Sequence, residues 1–221
     1  MFAIAEDKND KYTINNIMIE DFVNKKFCVF DLEGTGLDCE RDSIIQFGAV
    51  IVEDKGMIHP ERFDRLVKPS MPIPAKIENL TGITNEMVKD AGSFKDVFQE
   101  FQQFSQGCIM VAQCGYEYDF RILRSECQRR GLPIGDSVEM DTKILFKFLH
   151  PELLDTFSTD FLLNYYSIDA SGLKRHTALD DSILVAHIMV HMLRELRDKR
   201  ISDLIISTPV EIKKFIPRAL S

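Results

Sequence analysis

One stretch near the start of the chain, FCVFDLEGTG at 27–36, constrains the fold more than any other. Its apolar half is rich in Val and Phe and leads into glycines, which predicts a buried strand that ends in a turn. Asp31 and Glu33 stand at the end of this strand on one face, with Cα atoms about 6.5–7 Å apart. Carboxylates at that spacing repel each other, so a divalent cation is their simplest partner. The alternative is a strand that runs out into solvent with hydrated acids.

Composition limits the class of protein. The 221 residues are 45% hydrophobic and 28% charged, which predicts one globular domain with a large core. The net charge of −8 argues against binding nucleic acid by bulk charge alone, although a local basic surface or bound metal would offset it. Five cysteines without a Cys-x-x-Cys pair predict free thiols in a reducing cytoplasm. No apolar run approaches the ~20 residues of a membrane span, and the N-terminus lacks the form of a signal peptide.

The order of the predicted elements indicates a mixed α/β domain. Strands come first and then alternate with helices, so helices should pack on a central five-stranded sheet whose first three strands are antiparallel neighbours. We expect this domain to cover residues 26–199. Residues 1–25 are interpreted as an extension packed loosely on the domain, and residues 200–221 as a tail without a motif. The strands are predicted at 27–36, 43–53, 62–68, 107–112 and 138–140, and the main helices at 93–104, 119–130, 142–149, 158–166 and 176–199.

Further carboxylates fall where strands end or helices begin. Asp119 follows the strand at 107–112, and Asp180 and Asp181 open the long helix at 176–199. Since neighbouring strand ends meet at one edge of such a sheet, these acids are expected to approach the first pair. Asp141 also follows a strand, but we interpret it as the N-cap of the next helix.

Helical geometry chooses between the two adjacent acids. Asp181 shares a column with Ala178, Val185 and Met192, which border the apolar face of the helix. A carboxylate beside an apolar column needs a partner, so Asp181 is the predicted site residue. Asp180 lies further from that face and is predicted to be solvated. His176 precedes the selected acid by five residues at the start of the helix, which makes it the candidate histidine.

Three ordered motifs together resemble the DEDDh (DnaQ-like) 3′–5′ exonucleases. The first motif of that family, Asp-x-Glu-x-Thr-Gly, stands at 31–36, the second at 111–120 and the third, His-x-Ala-x-x-Asp, at 176–181. The segment LTGIT at 80–84 is similar to the loop before the family's first long helix. The similarity covers residues 26–198 and implies an RNase H-like fold.

The chain departs from the family pattern at one place that bears on the site. Members commonly carry His-Asn where this chain has Gln113-Cys114. By resemblance, those positions support the second motif and its contact with substrate rather than the metal. By resemblance, the substitution therefore bears on the geometry of the substrate side more than on the activity. Gly34 in place of a common Thr is a milder departure.

The resemblance implies a two-metal phosphodiesterase. Asp31, Glu33 and Asp181 would hold a first ion, Asp31 would bridge to a second, and Asp119 would act on the second largely through water. His176 would be the general base for the attacking water. Two Mg²⁺ ions suit the four carboxylates, and Mn²⁺ would substitute because oxygen ligands suit both.

The resemblance also implies contacts with the terminal nucleotide of the substrate. The backbone near the end of the first motif should pack on that nucleotide, and basic residues just before His176, Arg175 among them, could touch phosphate. For each basic residue the alternative is a solvated surface position. The substrate-binding residues implied in this way are Gly34, Thr35, Leu37, Tyr118 and Lys174.

Three functions remain open at this point. The first is an active 3′–5′ exonuclease that shortens single-stranded DNA or RNA and releases nucleoside 5′-monophosphates. The second is a proofreading subunit similar to the epsilon type and docked on a DNA polymerase. The third is a catalytically idle module that binds nucleic acid or protein, against which the complete set of four acids and a histidine argues. A homodimer is a further possibility, because several relatives are dimers.

Overall fold

The computed structural model describes residues 4–7, 10–53 and 56–214 of the chain. Its strands are β1 (Ile4–Asp7), β2 (Lys11–Ile14), β3 (Ile17–Ile19), β4 (Phe27–Gly34), β5 (Ile44–Glu53), β6 (Met57–Lys68), β7 (Gly92–Ser93), β8 (Ile109–Ala112), β9 (Glu139–Asp141), β10 (Leu204–Ile206) and β11 (Val210–Lys213). Its helices are α1 (Ala75–Thr81), α2 (Asn85–Val88), α3 (Phe94–Phe104), α4 (Asp119–Arg129), α5 (Thr142–Leu149), α6 (Thr159–Tyr165) and α7 (Ala178–Asp198).

A mixed sheet organises the molecule, with strand order β7-β6-β5-β4-β8-β9. The first three long strands are antiparallel neighbours, and β8 and β9 continue the sheet in parallel to β4. The predicted α/β fold with a central mixed sheet is therefore confirmed. The two-residue strand β7 adds a sixth member, which is too short to leave a periodic signal in the sequence.

The main core is a cluster of phenylalanines between the sheet and α3. Phe30, Phe47 and Phe63 project from three neighbouring strands, and each ring centroid lies 5.0–5.6 Å from that of Phe101. Such offset and tilted pairs add stability beyond the area they bury. The apolar stripe predicted for α3 thus packs in the core, and it fixes the sheet that carries the acids.

Helix α7 lies on the opposite side of the strands and is held against β5 at very short range. Gly48 leaves no room for a side chain, since a Cβ built there would lie 2.0 Å from the carbonyl carbon of Ala178. Gln46 Oε1 accepts a hydrogen bond from the Ala178 backbone N–H (3.1 Å), and Ser182 Oγ donates to the Gly48 carbonyl (2.8 Å). The start of α7 is therefore set directly on the sheet, and Asp181 is set with it.

Described strands near the two ends of the chain pair with each other, so for these residues the prediction of a loosely packed extension is wrong. Strand β2 pairs with β1 and β11, and β3 pairs with β10, all antiparallel. Tyr12, Ile14 and Ile212 are buried in these sheets. In the pairs β2–β11 and β3–β10 the partners lie about 185–200 residues apart in the sequence, so local periodicity carries no sign of these pairings.

A buried polar network joins these terminal strands to the second motif. Lys143 is completely buried, and its ammonium forms an ion pair with Glu117 and donates to the Lys213 carbonyl of β11 (2.8 Å). Asp141 accepts hydrogen bonds from Tyr12 Oη (3.4 Å) and from the Lys143 N–H (2.9 Å). The second bond confirms Asp141 as the N-cap of α5. Burial raises the pKa of Asp141 to about 6.

Lys143→Met is expected to lower the free energy of unfolding by about 3–5 kcal/mol, the usual cost of breaking a buried ion pair. The change removes the positive charge beside Glu117 and the donor to the Lys213 carbonyl. Urea unfolding followed by circular dichroism would measure the loss. The same substitution at exposed Lys76 on α1 should cost under about 0.5 kcal/mol. Equal losses for the two variants would show that the network adds no stability.

Among residues 4–7, 10–53 and 56–214, none of the helices combines the length and the apolar character that crossing a bilayer requires.

Candidate active site

Three carboxylates converge at the open end of β4. Oxygen atoms of Asp31, Glu33 and Asp181 lie within 4.8 Å of one another. Asp31 and Glu33 reach the same face because strand side chains alternate, and Asp181 comes from the first turn of α7, which is fixed on β5. The two residues of β4 are half-buried and Asp181 is buried. The predicted convergence of the first and third motifs is therefore present in the structure.

The fourth acid lies beside this cluster. Asp119 is the first residue of α4 and is almost completely buried, and its Oδ1 accepts a hydrogen bond from the Leu32 N–H of β4 (3.1 Å). Asp119 lines one cavity of about 270 Å³ together with the three other acids and His176. The five residues that the sequence selected thus surround a single space.

Electrostatic repulsion in this cavity is strong. Burial raises the pKa of Asp31 well above its ordinary value, and the charges of Asp119, Glu33 and Asp181 raise it further. Burial and then the charge of Asp181 raise the pKa of Glu33 to about 7. Burial also raises the pKa of Asp119 well above its ordinary value. Buried acids that are close together are costly to keep ionised, so the cluster needs a cation beside it. An all-oxygen donor set of this kind fits Mg²⁺ or Mn²⁺.

The raised pKa of Glu33 predicts how stability depends on pH. Without divalent metal, the folded chain holds a proton on Glu33 between pH 4.5 and about 7, whereas the unfolded chain has lost it. The contribution of Glu33 to stability is therefore present below about pH 4.5 and is lost as the pH rises through about 7. Glu33→Gln removes this titration. As the pH rises from about 5 to about 8 in EDTA, the Tm of this variant should therefore rise relative to that of wild type. A constant Tm difference across that range would contradict the raised pKa.

His176 stands at the mouth of the cavity on a loop that the acids hold in place. Its side chain is exposed, and its φ of 62° lies in the left-handed region, which costs energy for a residue other than glycine. The Asp181 Oδ2 accepts a hydrogen bond from the His176 N–H (2.7 Å), and Asp180 Oδ2 accepts one from the Lys174 N–H (2.9 Å). Asp180 is half-buried, and its bond to the Lys174 N–H holds this loop, a role that the sequence did not predict.

The chain departs from the family pattern at Gln113-Cys114, and the structure shows what Gln113 does there. Gln113 is buried, donates from Nε2 to the Phe157 carbonyl (2.7 Å), and accepts from the Thr142 hydroxyl. These bonds join the end of β8 to α5 and to the segment before α6. Cys114 has a φ of 58° and lines the acid cavity. Gln113 thus supports the scaffold of the second motif, and Cys114 borders the space next to it.

The remaining predicted residues are the implied substrate contacts, and of these five only Tyr118 lines the acid cavity. Tyr118 Oη donates to the Gly36 carbonyl (2.9 Å) and covers Gly34, where an added Cβ would lie 2.2 Å from that hydroxyl oxygen. Thr35 is buried, and its hydroxyl bonds the side chain of Asp42. The two exposed members of the predicted set are Leu37 and Lys174. Contact of this set with substrate stays a prediction.

Comparison with known proteins identifies the family. The family model described as "Exonuclease" (RNase T) matches residues 28–189, which include all three motifs. The chain belongs to the exonuclease family. The resemblance drawn from the motifs is therefore confirmed, and with it the assignment as an enzyme of this class.

Relatives of this exonuclease domain by sequence carry DNA polymerase III names. A PolC-type DNA polymerase III from Caldanaerobacter subterraneus subsp. tengcongensis is 31% identical over 86% of the chain. An epsilon-like protein of DNA polymerase III from Rhodobacter capsulatus is 33% identical over 88% of the chain. The chain spans 13% of the first relative's length and 26% of the second's.

Solved structures share the fold of the exonuclease domain. The nuclease domain of 3′hExo, a DEDDh family member bound to rAMP, has a TM-score of 0.68 at 21% identity, covering 78% of this chain and 93% of that one. A full-length 3′-exonuclease has a TM-score of 0.71 at 19% identity, covering 94% and 72%. The predicted RNase H-like fold is confirmed.

Proposed function

We propose that the chain is a 3′–5′ exonuclease that hydrolyses phosphodiester bonds at the 3′ end of single-stranded DNA or RNA and releases nucleoside 5′-monophosphates. The observation that carries this proposal is the convergence of four carboxylates and one histidine on a single cavity. Membership of the exonuclease family and the fold shared with 3′-exonucleases support it.

The acids would hold divalent metal. Asp31, Glu33 and Asp181 are the group close enough to share one ion, and Asp119 lies beside them for a second. We propose Mg²⁺ as the physiological ion, with Mn²⁺ as a substitute. Such ions, when bound, activate a water and offset the charge on the phosphoryl and leaving oxygens. The chain itself would supply the acids, and the proximity of the oxygen atoms of Asp31, Glu33 and Asp181, all within 4.8 Å of one another, supports this proposal.

His176 is proposed to accept the proton of the attacking water. Its exposed side chain stands at the cavity, and its backbone is tied to Asp181. The same carboxylate would therefore set both the metal and the position of the base. The proposed contacts with the 3′-terminal nucleotide are the backbone of Gly34 and Thr35, the side chains of Leu37 and Tyr118, and the ammonium of Lys174.

His176→Ala is expected to lower turnover by about 10²–10³-fold, within the range typical of acid–base catalysis. Mn²⁺ affinity, measured by electron paramagnetic resonance, should change less than about threefold, because the carboxylate ligands stay in place. His187→Ala, on the exposed surface of α7, is the matched control and should keep wild-type turnover. Near-normal turnover of His176→Ala would remove His176 from the mechanism.

A second candidate function is proofreading in association with a DNA polymerase. The names of the relatives favour it, and the chain covers only a small part of each. The terminal strands β2, β3, β10 and β11 lie outside residues 26–199, the range that we propose as the catalytic domain, and would offer a place to dock. Co-elution with the polymerase of the same cell in size-exclusion chromatography would support this function. A cytoplasmic location and a homodimer stay predictions.

The test of the proposed function is the release of nucleoside monophosphates from single strands. Purified chain with Mg²⁺ or with Mn²⁺ should convert DNA or RNA oligonucleotides to 5′-monophosphates that are separable by chromatography, and EDTA should stop the release. The better of the two substrates would define the class. Folded, metal-loaded protein that releases nothing would instead favour the idle binding module.

A further inference from the structure

Arg175 makes contacts that the motif alone does not explain. Its Nε donates to Asp181 Oδ1 (2.6 Å), and its Nη1 donates to Asp160 Oδ1 on α6 (2.5 Å). The other oxygen of Asp181 accepts the His176 N–H (2.7 Å). Both oxygens of a predicted metal ligand are therefore engaged, one by a backbone amide and one by a guanidinium.

Arg175 is also the one Lys or Arg among the described residues that line the acid cavity. The positive charge of Arg175 opposes the rise in the pKa of Asp31 that the neighbouring acids produce. In the chain without metal, the guanidinium is thus the counter-ion of the cluster. The Arg175 side chain is 37% exposed, and that of its partner Asp160 is 78% exposed.

The two hydrogen bonds that Asp181 accepts, one on each oxygen, differ in how readily they can be broken. The bond to Oδ2 comes from the backbone of His176, so breaking it means rearranging the loop. The bond to Oδ1 comes from a side chain with several rotatable bonds, so a divalent ion would gain this oxygen by displacing Arg175. The guanidinium would keep its bond to Asp160 and stay next to the cavity.

The position that Arg175 would then occupy borders a second space. A cavity of about 370 Å³ adjoins the first and shares Cys114, Thr159, Arg175 and His176 with it. A strand that places its 3′ end among the acids and leaves through this second cavity would pass Arg175. A guanidinium binds phosphate through two parallel hydrogen bonds, which an amine does not reproduce.

We propose that Arg175 is an exchangeable counter-ion: it pairs with Asp181 when metal is absent, and it binds a phosphate of the nucleic-acid strand when metal takes Asp181. The first half stands on the contacts of Arg175 alone, whereas the second half rests on the proposed exonuclease function. Arg175 would thus offset the charge of the acid cluster when metal is absent, and the metal would take over that role when it is bound. Asp160 would hold the guanidinium near the site during the exchange.

The first half is tested by Mn²⁺ binding, followed by electron paramagnetic resonance without nucleic acid. Arg175→Gln should bind Mn²⁺ about tenfold more tightly than wild type. The ion then no longer has to displace a hydrogen bond to a charged group, which is worth on the order of a factor of ten in affinity. Arg175→Lys should lie between the two, because it keeps the charge without the Nε contact. Asp160→Asn keeps the Asp181 pair and should stay within about threefold of wild type. Unchanged or weaker binding by Arg175→Gln would overturn the counter-ion role.

The second half is tested by the kinetics of oligonucleotide degradation at saturating Mn²⁺. Arg175→Gln should raise KM about tenfold with a smaller change in kcat. The slope of log KM against log salt concentration should fall by about one, the amount expected for the loss of one phosphate contact. An unchanged KM would overturn the phosphate contact. Wild-type chain that binds Mn²⁺ but degrades no strand would reject the exonuclease function, while the Mn²⁺ titrations would still decide the counter-ion role.

Discussion

Asp31→Asn is expected to lower the rate of strand degradation by about 10⁴-fold or more. Asp31 is the acid whose pKa responds to all three of the others, so it lies at the centre of the cluster. An amide of the same shape keeps the packing and removes the charge that would bind metal. Metal-derived stabilisation is worth several kcal/mol of the barrier, and each ~1.4 kcal/mol is a factor of ten.

The measurement is turnover on a single-stranded oligonucleotide at saturating metal, beside the Tm in EDTA. Because Asp31→Asn relieves repulsion among the acids, its metal-free Tm should equal or exceed that of wild type. Asp90→Asn makes the same chemical change on the exposed surface and should keep wild-type turnover. Retention of more than about a tenth of the activity by Asp31→Asn would contradict the central place of this residue.

Gly48→Ala, which adds one methyl group, is expected to be the most destabilising of the glycine-to-alanine changes and to cost about 5 kcal/mol or more. An added Cβ would meet the backbone of Ala178 and Leu179 at 2.0–2.3 Å. Backbone atoms at the start of a packed helix have nowhere to move, so α7 must lift from β5. The shift would carry Asp181 and His176 away from the other acids, and activity would be lost with stability.

Soluble yield and urea unfolding would measure this effect. Gly92→Ala adds the same methyl group where the nearest atom is the flexible Val97 side chain at 3.0 Å, and it should cost under about 1 kcal/mol. A Gly48→Ala chain that unfolds at the urea midpoint of wild type would show that α7 is not fixed on β5 in the way described.

Local patterns in the sequence were sufficient for the main elements of the site. The apolar run before Asp31 and the alternation of Glu33 with it specify one face of a strand, and this needs no tertiary information. The column of apolar residues next to Asp181 separated it from Asp180, because burial of one helix face is a local property. The capping role of Asp141 follows from the same kind of local signal.

What the sequence could not predict depends on residues far apart in the chain. The pairing of β2 with β11 joins segments whose own periodicity is weak. The buried state of Lys143 requires Glu117 and Lys213, which lie 26 and 70 residues away, whereas its charge alone favours an exposed position. The contact of Arg175 with Asp160 arises only when α6 lies beside the start of α7. The helical pattern does not predict that Asp180 accepts a hydrogen bond from the Lys174 N–H, because this bond depends on a loop that periodicity does not describe.

The most direct test of the account follows one labelled single strand over time with metal present. A 5′-label should remain on a ladder of products that shorten steadily, whereas a 3′-label should appear at once in mononucleotide. A circular single strand, which has no 3′ end, should resist degradation. Early release of a 5′-labelled mononucleotide, or cutting of the circle, would contradict the assignment of these acids to 3′-end hydrolysis.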